Sequence, residues 1–176
     1  LEADPNATVT FTDEIKQDPA PDGLEPSSFT SWGTPNDLSF KPQLAGIGGN
    51  VYSTVGEDGY ENMSGTSMAT PNVAGLSALL TEKFTERFPN ITGAERVELI
   101  ETSLMNTAKI IENEDGVPYL PRQIGAGLAE VDRALATDVT ATVEGEAAVA
   151  LKQINGPTTF TVTLTNRGDQ DRSFSV

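Results

Sequence analysis

From Met68 to Phe88 the chain admits little but a helix. Val73, Leu76 and Leu80 recur at i, i+3 and i+7, and Ala69, Ala74, Gly75, Ser77 and Ala78 fill its first half with small side chains. Such a helix is expected to be buried on nearly all sides, as a central helix is. Charges begin only at Glu82, so its C-terminal end is expected to reach solvent. Ser67 falls at the start of this helix, after Gly65 and Thr66, and Pro71 is expected in the first turn, where a missing N–H costs little.

That placement gives Ser67 a chemical meaning. The first amides of a helix lack intrahelical acceptors, and the helix dipole there favours a developing negative charge. Gly65 would let backbone come close to a substrate. Taken alone, Ser67 reads as an ordinary N-cap, which is what most serines before helices are. The serine elbow Gly-x-Ser-x-Gly fits less well, because Ala69 occupies the last glycine position. A serine hydroxyl is a weak nucleophile until a base takes its proton, and the chain contains no histidine.

The whole string, Gly65-Thr66-Ser67-Met68-Ala69, then Pro71, then Val73-Ala74-Gly75, resembles the nucleophile motif of the subtilases, the subtilisin-like serine peptidases. Subtilases order their triad Asp, His, Ser along the chain. The resemblance therefore implies that the Asp, the His and the oxyanion-hole Asn lie upstream of Leu1, and that the chain alone is catalytically dead. Asn6, Asn36, Asn50 and Asn62 are present, but none sits in the family's oxyanion context. Carried over by the resemblance, Ser67 attacks the peptide carbonyl and its backbone N–H is one oxyanion donor, with Thr66 Oγ a weaker one. Met63, Ser64 and Gly65 would border the leaving-group side of the cleft. Met68, beside the nucleophile, would be open to oxidation.

Three further stretches resemble the same family: Ser28-Phe29-Thr30-Ser31-Trp32-Gly33, the segment from Lys41-Pro42 to Ser53, and Pro121-Arg122-Gln123-Ile124-Gly125-Ala126-Gly127. With the β-like tail they resemble the cell-envelope proteinases of Gram-positive bacteria. That likeness implies an α/β chain: the C-terminal part of a subtilisin-like three-layer parallel-sheet domain, followed by the first strands of a fibronectin-type-III-like β-sandwich. Residues 1–27 would end an upstream segment after a protease-associated insert. Residues 28–138 would be the serine-bearing half of the catalytic domain, and 139–176 a truncated fibronectin-type-III-like domain. Departures from the family pattern are Gln43 for an acid, Gly46-Ile47-Gly48 where Ala-Pro-Gly is common, and Asn72 where many members have His.

Within that frame, short strands are expected at Thr8–Thr12, Asn50–Thr54, Val139–Leu151, Thr158–Thr165 and from Ser173. Phe160, Val162 and Leu164 alternate with threonines as on a half-buried strand. Gly56-Glu57-Asp58-Gly59 and Asn166-Arg167-Gly168-Asp169 read as turns, and residues 13–27 and 112–124 as loops. Thr92-Gly93-Ala94-Glu95 reads as a capping box opening a helix with Val97, Ile100 and Leu104 on one face, and Ala129–Ala136 as a short third helix.

A net charge of −15, from 26 acids against 11 bases, speaks against a nucleic-acid partner. With no cysteine there is no disulfide framework and no thiol chemistry. No apolar run reaches the length of a membrane span, and no signal peptide is visible. The sequons at Asn6, Asn62 and Asn90 include one close to Ser67, where a glycan would crowd the site, which favours a bacterial source. The expected partners are a protein or peptide substrate and the absent N-terminal half of the catalytic domain. The face left open to that half gives the chain a tendency to self-associate. The resemblance implies a secreted or cell-envelope protein. No cofactor is required. A calcium-stabilised loop at Glu112-Asn113-Glu114-Asp115-Gly116 does not match the EF-hand spacing. No metal ligand is therefore assigned, and structural calcium is left open for a longer parent. Two rival functions stand beside the peptidase: a catalytically inactive relative, and an adhesion module read from Arg167-Gly168-Asp169, against which stands the plain hairpin turn.

Overall fold

The computed structural model describes residues 23–174. The strand expected at Thr8–Thr12, the sequon at Asn6, the first part of the 13–27 loop, and Ser175 and Val176 lie outside the described residues. The order of elements is β1 (Val51–Val55), β2 (Gly59–Met63), α1 (Thr66–Arg87), α2 (Gly93–Thr107), α3 (Pro121–Ile124), α4 (Val131–Ala136), β3 (Val139–Thr142) and β4 (Thr163–Asn166). β1 and β2 form an antiparallel hairpin in the register Val51↔Met63 to Val55↔Gly59, closed by the expected turn at Gly56. β3 and β4 form a second antiparallel ribbon, Val139↔Asn166 to Thr142↔Thr163.

α1 begins at Thr66 and runs 22 residues. Pro71 is therefore the sixth helical residue and not in the first turn. It removes the amide that would bond the Ser67 carbonyl, four residues back. α1 packs its C-terminal half into the core, where Leu80, Phe84, Leu99, Ile100, Leu104 and Ala134 form one buried cluster across α1, α2 and α4. Phe84 meets Phe88 edge-on at 5.5 Å between ring centroids. The expectation of a helix buried on nearly all sides is corrected among the described residues: Leu80 and Phe84 are buried, and Leu79 is 51% exposed. Among the described residues the first half of α1 is covered mainly by the segment around Gly46 and Gly48, too little to enclose it.

α2 buries Leu99, Ile100, Leu104 and Met105, but Val97 is exposed. The inward place near its start is taken by Arg96, which donates to the Ile91 carbonyl at 2.5 Å and to Thr85 Oγ1 at 2.6 Å. Thr92 is the N-cap, yet it makes no side-chain capping bond, and Gly93 opens the helix with φ 59°. The left-handed Gly93 takes the chain in at an angle different from a capping box. Within the loop expected at 112–124 lies the single turn α3, with Pro121 at its first position and Gly125 after its end.

Two sheet expectations are met only in part. Among the described residues no parallel sheet forms; its trace is one parallel bridge, Ala45 to Leu128, beside an antiparallel bridge from Lys109 to Leu128. A parallel sheet needs several strands joined by crossovers and covered on both faces, and these short segments supply neither. Among the described residues the tail holds the four-residue strands β3 and β4, and Phe160, Val162 and Leu164 stay about half exposed. A two-stranded ribbon has no second sheet to bury that face against. Asp171–Phe174 carry no strand.

Candidate active site

The three family-like stretches converge behind the start of α1. The Arg122 guanidinium lies 5.0 Å from the Trp32 ring centroid, and the Gly33 amide donates to the Arg122 carbonyl at 2.7 Å. Ala126 donates to the Gln43 carbonyl, Ala45 to the Gly127 carbonyl and Ala129 to the Ala45 carbonyl, each at 2.9 Å. These bonds fix residues 43–45, and the chain then runs on along α1 to Gly48.

At Gly48 the supporting segment meets the serine turn. The Gly65 amide donates to the Gly48 carbonyl at 2.8 Å. A side chain on Gly48 would come within 2.6 Å of the Gly65 carbonyl and 2.9 Å of Ala69 Cβ, so only glycine allows this approach. Gly65 itself is the N-cap in extended backbone, and its carbonyl accepts from Met68 at 3.0 Å and Ala69 at 3.3 Å. An added methyl on Gly65 would find nothing closer than 3.7 Å, from Met68 Sδ and the Ser67 amide. The protein's own packing therefore does not require glycine at residue 65.

Ser64 sits between strand and helix, and its Oγ accepts the Asn50 amide at 2.8 Å. Asn50 holds φ 51°, a conformation asparagine tolerates better than most residues. Met63 ends β2 and is 43% exposed. Thr66 opens α1, and its carbonyl accepts Thr70 Oγ1 at 3.0 Å. Ser67 is the second helical residue and exposed; Met68 is half-buried. Among the described residues the Thr66 and Ser67 amides have no acceptor and the Ser67 hydroxyl has no hydrogen-bond partner. Two unassigned donors and a free hydroxyl at the positive end of a 22-residue helix form a place where an anion can develop.

A cleft of about 820 Å³ opens on the other side of this junction, bordered by Ser64, Thr66 and Ala69 and by residues 23–31. Ser67 does not line it, so this cleft does not present a bond to the Ser67 hydroxyl. Among the described residues the carboxyl that departs from its usual range, Asp37, is held low mainly by the Ser39 amide and hydroxyl, and it does not line the cleft. Among the described residues there is no cluster of three or more metal-ligating side chains. In the 112–116 loop Asn113 Oδ1 is taken up by the Asp115 and Val117 amides. Sequence reasoning named Gly48, Asn50 and Asn72 but gave them no role in the turn; the Asn72 amide oxygen accepts from Ile47 at 3.2 Å. The Gly49-Asn50 pair, a turn signal, was the readable hint of one of them.

The subtilase family profile matches residues 8–127. The chain is 34% identical over 173 residues to a C5a peptidase of Streptococcus pyogenes, covering 98% of this chain and 15% of that protein. It is 36% identical over 165 residues to a PII-type proteinase of Lactococcus lactis subsp. cremoris, covering 85% of this chain and 9% of that protein. Among solved structures the CspB protease of Clostridium perfringens is 36% identical over 54% of this chain and 19% of its own, with a TM-score of 0.45. The chain thus spans about a seventh or less of the length of these curated relatives. With a profile match over well more than half its length, the chain belongs to the subtilase family.

Proposed function

We propose that Ser67 is the nucleophile of a serine endopeptidase that hydrolyses peptide bonds in extracellular proteins. The observation that carries this reading is the position of Ser67: second residue of a long helix, hydroxyl unbonded, with the adjacent amides free of acceptors among the described residues. A histidine outside this chain, oriented by an aspartate, takes the hydroxyl proton as Oγ attacks the scissile carbonyl. The oxyanion that forms is met by the Ser67 amide and by an asparagine also outside this chain, with Thr66 Oγ beside it. Each such donor is worth about 3–4 kcal/mol of barrier. The histidine then protonates the leaving amine, and water repeats the sequence on the acyl-enzyme. Met63, Ser64 and Gly65 flank the departing segment, and Met68 borders the site. This chemistry calls for no cofactor.

Since the chain has no histidine, it is inactive by itself and works joined to the rest of a catalytic domain. Residues 28–138 are its serine-bearing half, and the ribbon from residue 139 opens the following β domain. The large exposed side chains, Trp32, Ile47 and Leu79 among them, fit a face made to receive other parts of the protein, and alone it would favour self-association. The likeness to a streptococcal and a lactococcal proteinase supports a secreted or cell-envelope protein of a Gram-positive bacterium. Against the adhesive alternative stands Arg167, whose guanidinium donates to Thr140 Oγ1 at 2.7 Å.

Fluorophosphonate labelling of the full-length parent, beside its Ser67→Ala variant and the isolated chain, tests the proposal. Labelling lost in the variant and absent from the isolated chain is expected. A folded parent that takes up no label would mark an inactive relative.

A further inference from the structure

Gly46, Ile47 and Gly48 run along the first turns of α1 with both glycines against the helix. A side chain on Gly46 would come within 2.7 Å of Val73 Cγ2, and one on Gly48 within 2.6 Å of the Gly65 carbonyl. Ile47 lies between them and is 56% exposed, so its side chain leaves the helix while its amide faces it. That amide donates to Asn72 Oδ1 at 3.2 Å. One residue later the Gly48 carbonyl receives the Gly65 amide at 2.8 Å, and Gly65 leads through Thr66 into Ser67. A side chain on α1 is thus tied to the extended segment that holds the turn at the start of the same helix.

Ile47 carries an N–H where a proline would have none, and the glycines on either side of it lie close against the helix. We infer that Ile47 and Asn72 are a matched pair, in which the Ile47 amide is held by the Asn72 side chain, and that Asn72 is thereby a positioning residue for Ser67. The inference rests on Ser67 being the nucleophile. The bond uses only an acceptor oxygen. Aspartate can supply one. Alanine cannot supply one.

The test uses the full-length parent and fluorophosphonate inactivation of Ser67, with the maximal rate and the half-saturating concentration measured separately, well below each variant's melting temperature. Asn72→Ala is expected to slow the maximal rate roughly three- to tenfold, the scale of one ordinary hydrogen bond, with half-saturation unchanged. Asn72→Asp is expected to restore the rate to within about twofold of the parent, by the same scale. In an Ile47→Pro background, which has no amide to satisfy, Asn72→Ala is expected to add no further slowing. An Asn72→Ala protein as fast as the parent, an aspartate variant as slow as alanine, or full additivity with Ile47→Pro would each overturn the pairing. The aspartate comparison stands even if the proline variant does not fold. A parent not labelled at Ser67 at all would remove the nucleophile assignment, and the positioning role with it.

Discussion

Asp138 and Arg87 form an ion pair that joins the last turn of α1 to the first residue before β3. Asp138 is only 11% exposed in its side chain, also lies 3.4 Å from the Arg172 guanidinium, and its carbonyl accepts the Arg167 amide at 2.9 Å. Arg87 reaches on to the Leu135 carbonyl at 3.4 Å. One carboxylate thus neutralises cations from α1 and from the tail, and holds the β3–β4 ribbon against the helices.

Replacing Asp138 by Ala should leave Arg87 partly buried and unpaired. Breaking such a half-buried pair is expected to cost about 1–3 kcal/mol, below the range for fully buried pairs because Arg87 retains solvent contact. Urea unfolding of the parent and the variant reads this directly; a shift indistinguishable from zero would show that the ribbon does not depend on Asp138.

Phe84 is 1% exposed at the centre of the helical cluster, and Leu79, five residues earlier on the same helix, is 51% exposed. Phe84→Ala should therefore destabilise by about 3–5 kcal/mol, while Leu79→Ala should change stability by less than about 1 kcal/mol. The contrast also tests which face of α1 is inside. Equal losses at the two positions would mean that Leu79 is buried in the parent by chain outside the described residues.

The helices were legible because their signals are local. Val73, Leu76 and Leu80 place the inner stripe of α1, and Thr92 marks the start of α2 to the residue. Val97 misled because it shares the period of Ile100 and Leu104 but falls beyond the core, where Arg96 turns inward instead. The place of Ser67 at the start of a helix was legible from its motif, but the contacts around that turn were not. The bonds from Gly48, Asn50 and Asn72 span 14 to 25 residues of sequence, and no periodicity reports contacts of that kind. The tail misled for a third reason: alternation in Phe160, Val162 and Leu164 says that one face can be buried, not that anything covers it.

The Arg167-Gly168-Asp169 tripeptide is expected to act as a turn. Asn166 Oδ1 accepts the Gly168 amide at 3.0 Å, and the Arg167 guanidinium is held by Thr140. Asp169→Glu should leave cell attachment unchanged, and Arg167→Ala should lower stability by about 1 kcal/mol through the lost bond. Attachment that disappears with Asp169→Glu would restore the adhesive reading.

Gly48 and Gly65 face each other across one hydrogen bond, yet the two glycines should respond oppositely to alanine. On Gly48 the new methyl would lie 2.6 Å from the Gly65 carbonyl and 3.1 Å from the Ala69 amide, both backbone atoms of the serine turn, so the turn must shift. On Gly65 the methyl has 3.7 Å to its nearest neighbours, and the extended backbone there suits any residue. Gly48→Ala should therefore lower both the melting temperature and the labelling rate of Ser67. Gly65→Ala should keep the melting temperature and lose activity only on peptide substrates, whose backbone must pass beside it. The paired measurement is thermal unfolding, fluorophosphonate labelling and peptide hydrolysis on the full-length parent. If Gly65→Ala hydrolyses peptides at the parental rate, residue 65 does not approach the substrate, and the leaving-group side of the cleft must be sought elsewhere.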